Sequence, residues 1–356
     1  MIRVLVIDDS AVMRSFLGRV VQAQPDMTLA AVVSDPLHAI NRIRQSAPDV
    51  ITLDVEMPNM NGLDFLGKLM AVRPLPVIMI SSLTQRGADA TMRALELGAV
   101  DFFPKPAAFE ELDGVAADIA EKIRAAAQAR VSRRRVFAPV VSRPLAPPRA
   151  ARLAGADTVI GIGASTGGVE ALRVVLAELP DNMPPILVAQ HMLPGFTGPF
   201  ARRLDSICPL TVKEAQDGDE VLPGHVYIAP GGWHLRLARK GTRQVLQVSD
   251  DPPVNRHRPA VDTLFRSLAE VAGSRAIGVL LTGMGADGAE AMLALRAAGA
   301  RTIAQDEASC VVFGMPRQAI ALGAAQEVLA LDDVAGRLKV LSGCDRAPPP
   351  AGVDEA

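Results

Sequence analysis

Ser165 lies in the run Gly161-Ile162-Gly163-Ala164-Ser165-Thr166-Gly167-Gly168, where an apolar stretch turns through glycines into an amphipathic one. A serine on a tight strand-to-helix turn projects its hydroxyl at a sheet edge, with helix-start amides nearby to stabilise an oxyanion. Such a serine becomes a nucleophile only beside a base, and the base needs an acid to orient it. His191 directly follows the apolar run 186–190. Asp287 stands six residues past a third run, 276–281, in Thr282-Gly283-Met284-Gly285-Ala286-Asp287-Gly288. Serine, histidine and aspartate at three strand ends of one sheet edge would give a triad, and with it acyl transfer. His225, His234 and His257 are rival bases, although none follows a core strand as directly. Each member also has an ordinary reading: His191 as a structural histidine, Asp287 as a helix cap, and the glycines around Met284 as a plain turn.

The same glycines approximate G-x-G-x-x-x-G, a dinucleotide loop. That use calls for an acid after the next strand to hold a ribose, and the sequence there reads Gln190-His191-Met192. A nicotinamide-dependent dehydrogenase is therefore the weaker alternative. The pattern is not G-x-S-x-G, so an α/β-hydrolase is not implied.

A second group of residues points to different chemistry. Asp8-Asp9, Asp54, Ser81-Ser82 and Lys105-Pro106 follow or end the apolar runs one, three, four and five of the first 124 residues. Three converging carboxylates repel one another unless a cation shares the site, and hard oxygen ligands suit Mg²⁺. A lysine and a hydroxyl facing them complete a cradle for a phosphoryl group. Asp54 is then the acceptor, since a carboxylate can form an acyl phosphate.

The elements that must position these residues follow from periodicity. Strands are expected at 4–7, 29–33, 50–53, 77–80 and 100–103, alternating with helices near 12–23, 36–46, 62–72, 87–97 and 110–128. That alternation means βαβ units and a parallel sheet. From Ala125 to Leu153 the chain carries no acid, several arginines and four prolines, which reads as an extended basic linker. A second α/β unit is expected from 155 to 345. Its strands fall at 159–162, 186–190, 226–229, 276–281, 301–304 and 327–331, with helices near 168–178, 196–206, 260–272, 288–298 and 316–322. Shorter β-like runs at 211–214, 234–238 and 244–248 suggest hairpins inserted in a mainly parallel, doubly wound sheet. The tail from 346 to 356, with Pro348-Pro349-Pro350, is expected to be disordered.

Composition bounds the rest. With 356 residues and a net charge of −2, the chain has no bulk pull toward nucleic acid or anionic membrane. Hydrophobic residues at 49% supply real cores. Three scattered cysteines argue against a disulfide framework or a zinc cluster. No signal peptide and no membrane-spanning stretch is visible, so a cytoplasmic location is expected.

Residues 1–124 resemble the response-regulator receiver family, most clearly in Leu53-Asp54-Val55-Glu56-Met57-Pro58 and Asn61-Gly62. The resemblance implies that Asp54 accepts phosphate from a histidine kinase and that Asp8 and Asp9 hold Mg²⁺. It also implies that Ser81 and Lys105 contact the phosphoryl group and that Phe102 is the aromatic switch. Over nearly its whole length the chain resembles the chemotaxis-specific protein-glutamate methylesterase/protein-glutamine glutaminase family. Five stretches carry that likeness: GASTGG (163–168), QHM (190–192), PPVNRHRP (252–259), LTGMGADG (281–288) and EASCVVFGMP (307–316). It implies Ser165 as nucleophile, His191 as base and Asp287 as its orienting acid. Thr166 and the Met284 backbone would build oxyanion and active-site contacts. No cofactor is implied for the esterase chemistry. The substrates implied are methyl-accepting chemotaxis proteins, controlled through a receiver docked over the triad. Arg256 and Arg258 are candidates to meet an acidic receptor helix, or to belong to a structural loop. An output domain that only binds a partner, its triad idle, is the remaining alternative.

Overall fold

The computed structural model describes residues 1–58, 60–82, 84–105, 112–129, 131 and 158–344. Most of the expected linker, the tail from 346 and Pro106 lie outside the described residues.

The first half runs β1 (Ile2–Ile7), α1 (Ala11–Gln22), β2 (Met27–Val33), α2 (Pro36–Ser46), β3 (Val50–Asp54), α3 (Gly62–Val72), β4 (Val77–Ser81), α4 (Gln85–Glu96), β5 (Asp101–Pro104) and α5 (Leu112–Ala127). Its strands form one parallel sheet in the order β2-β1-β3-β4-β5. Helices cover both faces, so β1 and β3 are buried almost throughout and read as unbroken apolar runs. The helices begin where side chains can cap free amides. Ser10 accepts from the Met13 amide, Asp35 from Leu37 with Pro36 in the first turn, and Asn61 from Leu63. Connections leave β1 in opposite directions, which opens a crevice at the carboxyl ends of β1 and β3.

The second half runs β6 (Val159–Ala164), α6 (Gly168–Ala177), β7 (Ile186–Gln190), α7 (Thr197–Asp205), β8 (Thr211–Glu214), β9 (His225–Ile228), β10 (His234–Lys240), β11 (Arg243–Ser249), α8 (Val261–Val271), β12 (Ala276–Leu280), α9 (Ala289–Ala297), β13 (Arg301–Gln305), α10 (Met315–Ala321), β14 (Glu327–Leu329) and α11 (Leu331–Leu341). Seven strands make a wholly parallel sheet, β14-β13-β12-β6-β7-β9-β8. Two expectations are corrected here. The run 211–214 is no hairpin arm but the parallel edge strand β8 beside β9, and only β10 and β11 pair as a separate antiparallel hairpin. The last strand also stops at Leu329, and residues 331–341 form a helix. Val334 and Leu338 of α11 are buried, with Asp332 and Asp333 in its first turn and Lys339 in its last.

Gly161 and Gly163 explain the glycine-rich β6 without a nucleotide. A Cβ on Gly161 would lie 2.2 Å from Leu268 Cδ1, and one on Gly163 would lie 2.3 Å from Val261 Cγ1. The missing side chains let α8 lie directly on β6, with Phe265 fully buried beside them. Truncating a phenylalanine so placed costs about 3–5 kcal/mol.

The two sheets meet in one molecule. Phe102 on β5 packs on Phe196 with ring centroids 4.5 Å apart. Glu96 at the end of α4 pairs with Arg203 on α7 at 2.6 Å. No helix among the described residues is long and apolar enough to cross a membrane.

Candidate active site

Register brings the second-half residues together. β6 pairs with β7 as Ala164 with Gln190, and with β12 as Gly163 with Leu280. Ser165, His191 and the Thr282–Asp287 loop therefore leave the sheet at one level, on the switch-point strand. His191 Nδ1 lies 3.1 Å from Ser165 Oγ, and His191 Nε2 lies 2.7 Å from Asp287 Oδ2. An ionised carboxylate only accepts, so Asp287 fixes the imidazole proton on Nε2 and leaves the Nδ1 lone pair facing the serine.

Asp287 is itself held at the start of α8. Its oxygens accept from the Val261 amide at 2.6 Å, the Asp262 amide at 3.2 Å and Asn255 Nδ2 at 2.9 Å. Burial alone would raise its pKa. The hydrogen bond and charge of His191, with those donors, outweigh it and bring the pKa down to about 2. The carboxylate is therefore ionised at neutral pH.

Sequence reasoning missed Asn255 as a site residue and set His257 aside as a rival base. Val254 and His257 exchange both backbone hydrogen bonds, closing a tight turn in which Asn255 and Arg256 take φ of +52° and +65°. That turn aims Asn255 at Asp287 and lays the His257 ring flat on His191, centroids 3.7 Å apart and planes within 8°. Burial, and then the neighbouring His191, push the His257 pKa down to about 4, so it is a neutral lid on the base. His191, His257 and Asp287 bring three ligand atoms within 4.8 Å. Stacked rings aim their nitrogen lone pairs along parallel planes rather than at a shared point, which suits packing better than a metal. The other rivals are tied elsewhere: His225 to the Pro223 carbonyl, and His234 to the Pro252 carbonyl and the Ala260 amide.

Around the serine, the Ser165 amide donates to the Thr282 carbonyl at 3.0 Å, so the loop preceding Met284 touches the nucleophile's own backbone. The 307–316 stretch braces that loop: Gly314 and Met315 amides donate to Gly283, and Val312 to Thr282 Oγ1. Gln190 Nε2 holds the Ser165 carbonyl at 3.0 Å. Thr166 is less free than expected. Its hydroxyl donates to Asp101 Oδ2 of the first half at 2.7 Å, and Asp101 in turn is paired with Lys122 on α5 at 2.7 Å. Beside the serine, the crevice between the halves encloses about 20 Å³, room for roughly one water. Phe102, Asp101, Ser165, Gln190 and His191 line it. Arg256 reaches Glu121 on α5 at 3.1 Å, and Arg258 donates to the Asp250 carbonyl at 2.6 Å.

The acidic crevice of the first half gathers Asp8, Asp9, Asp54 and Lys105 at the carboxyl ends of β1, β3 and β5. Asp8 and Asp54 are fully buried, Asp9 is exposed, and one oxygen of each lies within 4.8 Å of the others. Lys105 Nζ sits 2.6 Å from Asp54 Oδ2 and 3.6 Å from Asp8 Oδ2. Asp8 Oδ2 is buried with no hydrogen-bond partner among the described residues. That orphaned oxygen beside two more carboxylates fits a hard divalent cation. The Ser81 hydroxyl is turned away, donating to the Gly87 carbonyl at 3.0 Å. Burial, then the Asp8 charge, push the Asp54 pKa from 3.8 up to about 7. The folded state thus keeps a proton that the unfolded chain has lost, and stability falls as pH rises between those values. Asp54→Asn is expected to stabilise the protein at pH 8 without divalent cations, by about 1–3 kcal/mol. The gain should vanish near pH 4; a variant that melts lower at pH 8 would refute this electrostatic reading.

With the geometry in place, known proteins can be set beside it. The CheB methylesterase family model matches residues 160–338, and the response regulator receiver domain model matches residues 4–117. Protein-glutamate methylesterase/protein-glutamine glutaminase 3 of Burkholderia lata is 56% identical over 344 residues, covering 95% of this chain and 94% of its own. The chain belongs to the CheB methylesterase family. The Bordetella pertussis protein-glutamate methylesterase/protein-glutamine glutaminase is 55% identical over 95% of this chain and 96% of its own length. Among solved structures, the CheB methylesterase catalytic domain of Thermotoga maritima matches with a TM-score of 0.51 at 45% identity. It covers 52% of this chain and 98% of that one. In the CheB methylesterase frame, the two sheets are a receiver and a catalytic unit, as the sequence led one to expect.

Proposed function

We propose that the chain is a phosphorylation-activated serine hydrolase that removes methyl groups from glutamate methyl esters, and amide groups from glutamines, on chemotaxis receptors. The observation that carries this is the hydrogen-bonded chain from Ser165 through His191 to Asp287, in a family whose relatives bear that activity in their names. Ser165 Oγ attacks the γ-carbonyl as His191 Nδ1 takes its proton. The imidazolium so formed is stabilised by Asp287 through Nε2. The tetrahedral oxyanion falls to backbone amides at Thr166 and Met284. Methanol leaves with the proton from His191, and water, activated by the same nitrogen, releases the glutamate. This chemistry asks nothing of a metal in the catalytic unit.

We read residues 1–124 as the receiver, 125–154 as the linker, 155–345 as the catalytic domain and 346–356 as a tail. Asp8, Asp9 and Asp54 would hold Mg²⁺ in the receiver. The ion would neutralise the charge that builds up as a histidine kinase's phosphoryl group passes to Asp54, with Lys105 and a re-aimed Ser81 contacting it. In the docked arrangement a one-water crevice excludes a protein side chain from Ser165. Phosphorylation would favour the released form, with Phe102, wedged on Phe196, as the switch residue that must move. A cytoplasmic setting follows from these partners, with no nucleic acid and no membrane insertion.

The test is methanol release from methyl-labelled receptor membranes, with and without acetyl phosphate and Mg²⁺. Release that rises severalfold with the phosphodonor is expected, and Asp54→Asn should lose the rise while keeping the unstimulated rate. No release from folded protein on a matched receptor would favour a receiver joined to a binding module. Undiminished stimulation in Asp54→Asn would sink the phosphorylation site.

A further inference from the structure

Helices α8 and α9 both begin without a capping side chain of their own. Ala260 precedes α8 and Gly288 precedes α9, and neither supplies an oxygen to the first amides. Two buried acids supply the caps by exchange. Asp287, just before α9, accepts from the Val261 and Asp262 amides that open α8. Asp262, in the first turn of α8, accepts through Oδ1 from the Gly288 amide at 3.0 Å and the Ala291 amide at 3.1 Å, at the start of α9. Each acid thus holds the other's helix, and each sits at the positive end of a helix dipole.

Asn255 joins the two acids. Its Nδ2 donates to Asp287 Oδ1 at 2.9 Å and to Asp262 Oδ2 at 3.0 Å, which uses both N–H groups of the carboxamide. With a carboxylate oxygen on either side, the NH₂ end must face inward, because the amide oxygen would be repelled twice. Arg266 Nη2 lies 3.9 Å from Asp262 Oδ2, beyond hydrogen-bond distance, on a side chain 53% exposed. Asn255 is therefore the group that Oδ2 of Asp262 holds. On Asp287, Oδ2 is shared between His191 Nε2 and the Val261 amide. The plane of that carboxylate then depends on what holds Oδ1, and Asn255 is one of its two donors.

We propose that Asp262 is a positioning residue for the reaction: it fixes the Asn255 carboxamide, which in turn fixes Asp287 against His191. No hydrogen bond among the described residues links Asp262 to Ser165 or to the imidazole, so its effect must pass through Asn255 and Asp287. An asparagine at 262 can keep its oxygen on the Gly288 and Ala291 amides, and it then turns an NH₂ toward the NH₂ of Asn255. Two donors cannot pair, so Asn255 is pushed off Asp262 and loosened from Asp287. The inference rests on the serine-hydrolase reading above.

The full-length chain, with acetyl phosphate and Mg²⁺, is assayed for methanol release from methyl-labelled receptor membranes. Asp262→Asn and Asn255→Ala are each expected to lower kcat by roughly tenfold while KM moves less than twofold, the scale of one lost hydrogen bond to a charged group. The double variant should be no slower than the slower single one, because the two residues act in series. In histidine-labelled protein, the Nε2 proton of His191, assigned by its loss in His191→Gln, should shift and exchange faster with water in both single variants. A purely structural Asp262 would lower Tm and leave kcat of the folded protein and that resonance unchanged, which overturns the proposal. So do single effects that multiply in the double variant, since Asp262 would then act without Asn255. If Asp262→Asn does not fold, Asp262→Ser, which removes the Oδ2 acceptor without placing an NH₂ there, decides by the same readings. Absence of Ser165-dependent release from the parent overturns the hydrolase reading instead. The His191 resonance still decides the role of Asp262 in that case, because it requires no turnover.

Discussion

Asp287→Asn is expected to lower kcat for methanol release by about 10⁴, nearly as far as Ser165→Ala, although the two side chains have almost the same shape. The reason lies in the donors around the carboxylate. Oδ1 accepts from Asn255 Nδ2 and the Asp262 amide, so a carboxamide would place its oxygen there. Its NH₂ would then face His191 Nε2, where Asp287 Oδ2 now accepts at 2.7 Å. A donor at that point drives the imidazole proton to Nδ1, and the ring presents an N–H to Ser165 Oγ instead of a lone pair. The serine would keep its partner and lose its base. The same NH₂ would also meet the Val261 amide, which now donates to Oδ2 at 2.6 Å, so the variant loses one hydrogen bond at the start of α8 while keeping those from Asn255 and Asp262. Single-turnover release from methylated receptors, with circular dichroism as the folding control, checks this. A rate within tenfold of the unmodified protein would mean that Asp287 does not set the tautomer.

Much of this site was legible in the sequence because it sits on regular elements. Ser165, His191, Asp8, Asp54 and Lys105 all follow or end parallel strands, and a parallel strand buried on both faces announces itself as an apolar run. What was not legible came from elsewhere. Asn255 and His257 act from a four-residue turn with two left-handed residues, which has no periodicity to detect. Asp101 is masked within the apolar start of β5, and its partner Thr166 is 65 residues away in the other sheet. Arg256 looked available to an acidic substrate, yet here it pairs with Glu121 of the receiver. β8 looked like a hairpin arm because an edge strand is short and half-polar in either arrangement. α11 was missed because its apolar residues follow directly on those of β14, so the change of period came within a few residues. Local pattern reports how a segment meets the core, whereas which half a polar side chain will meet depends on docking.

Docking is where the second large effect is expected. Asp101→Ala should raise the unstimulated rate by roughly tenfold to a hundredfold. The carboxylate is the acceptor for the buried Thr166 hydroxyl and the partner of Lys122 Nζ, both at 2.7 Å. A hydrogen bond to a charged group contributes about 1.5–3 kcal/mol. Losing it shifts the docked–released equilibrium by a comparable amount, and each 1.4 kcal/mol is tenfold in the released population. The surface pairs Glu96–Arg203 and Glu121–Arg256 are exposed to solvent and screened by salt, so they contribute far less than this buried contact. Asp101→Asn keeps an oxygen for Thr166 but loses the charge, and it should fall between the two. Phosphodonor should add little to Asp101→Ala, because the receiver is already released. If the unstimulated rate of a folded Asp101→Ala variant matches that of the parent, the Thr166 contact is incidental, and the clamp must be sought at Phe102 on Phe196.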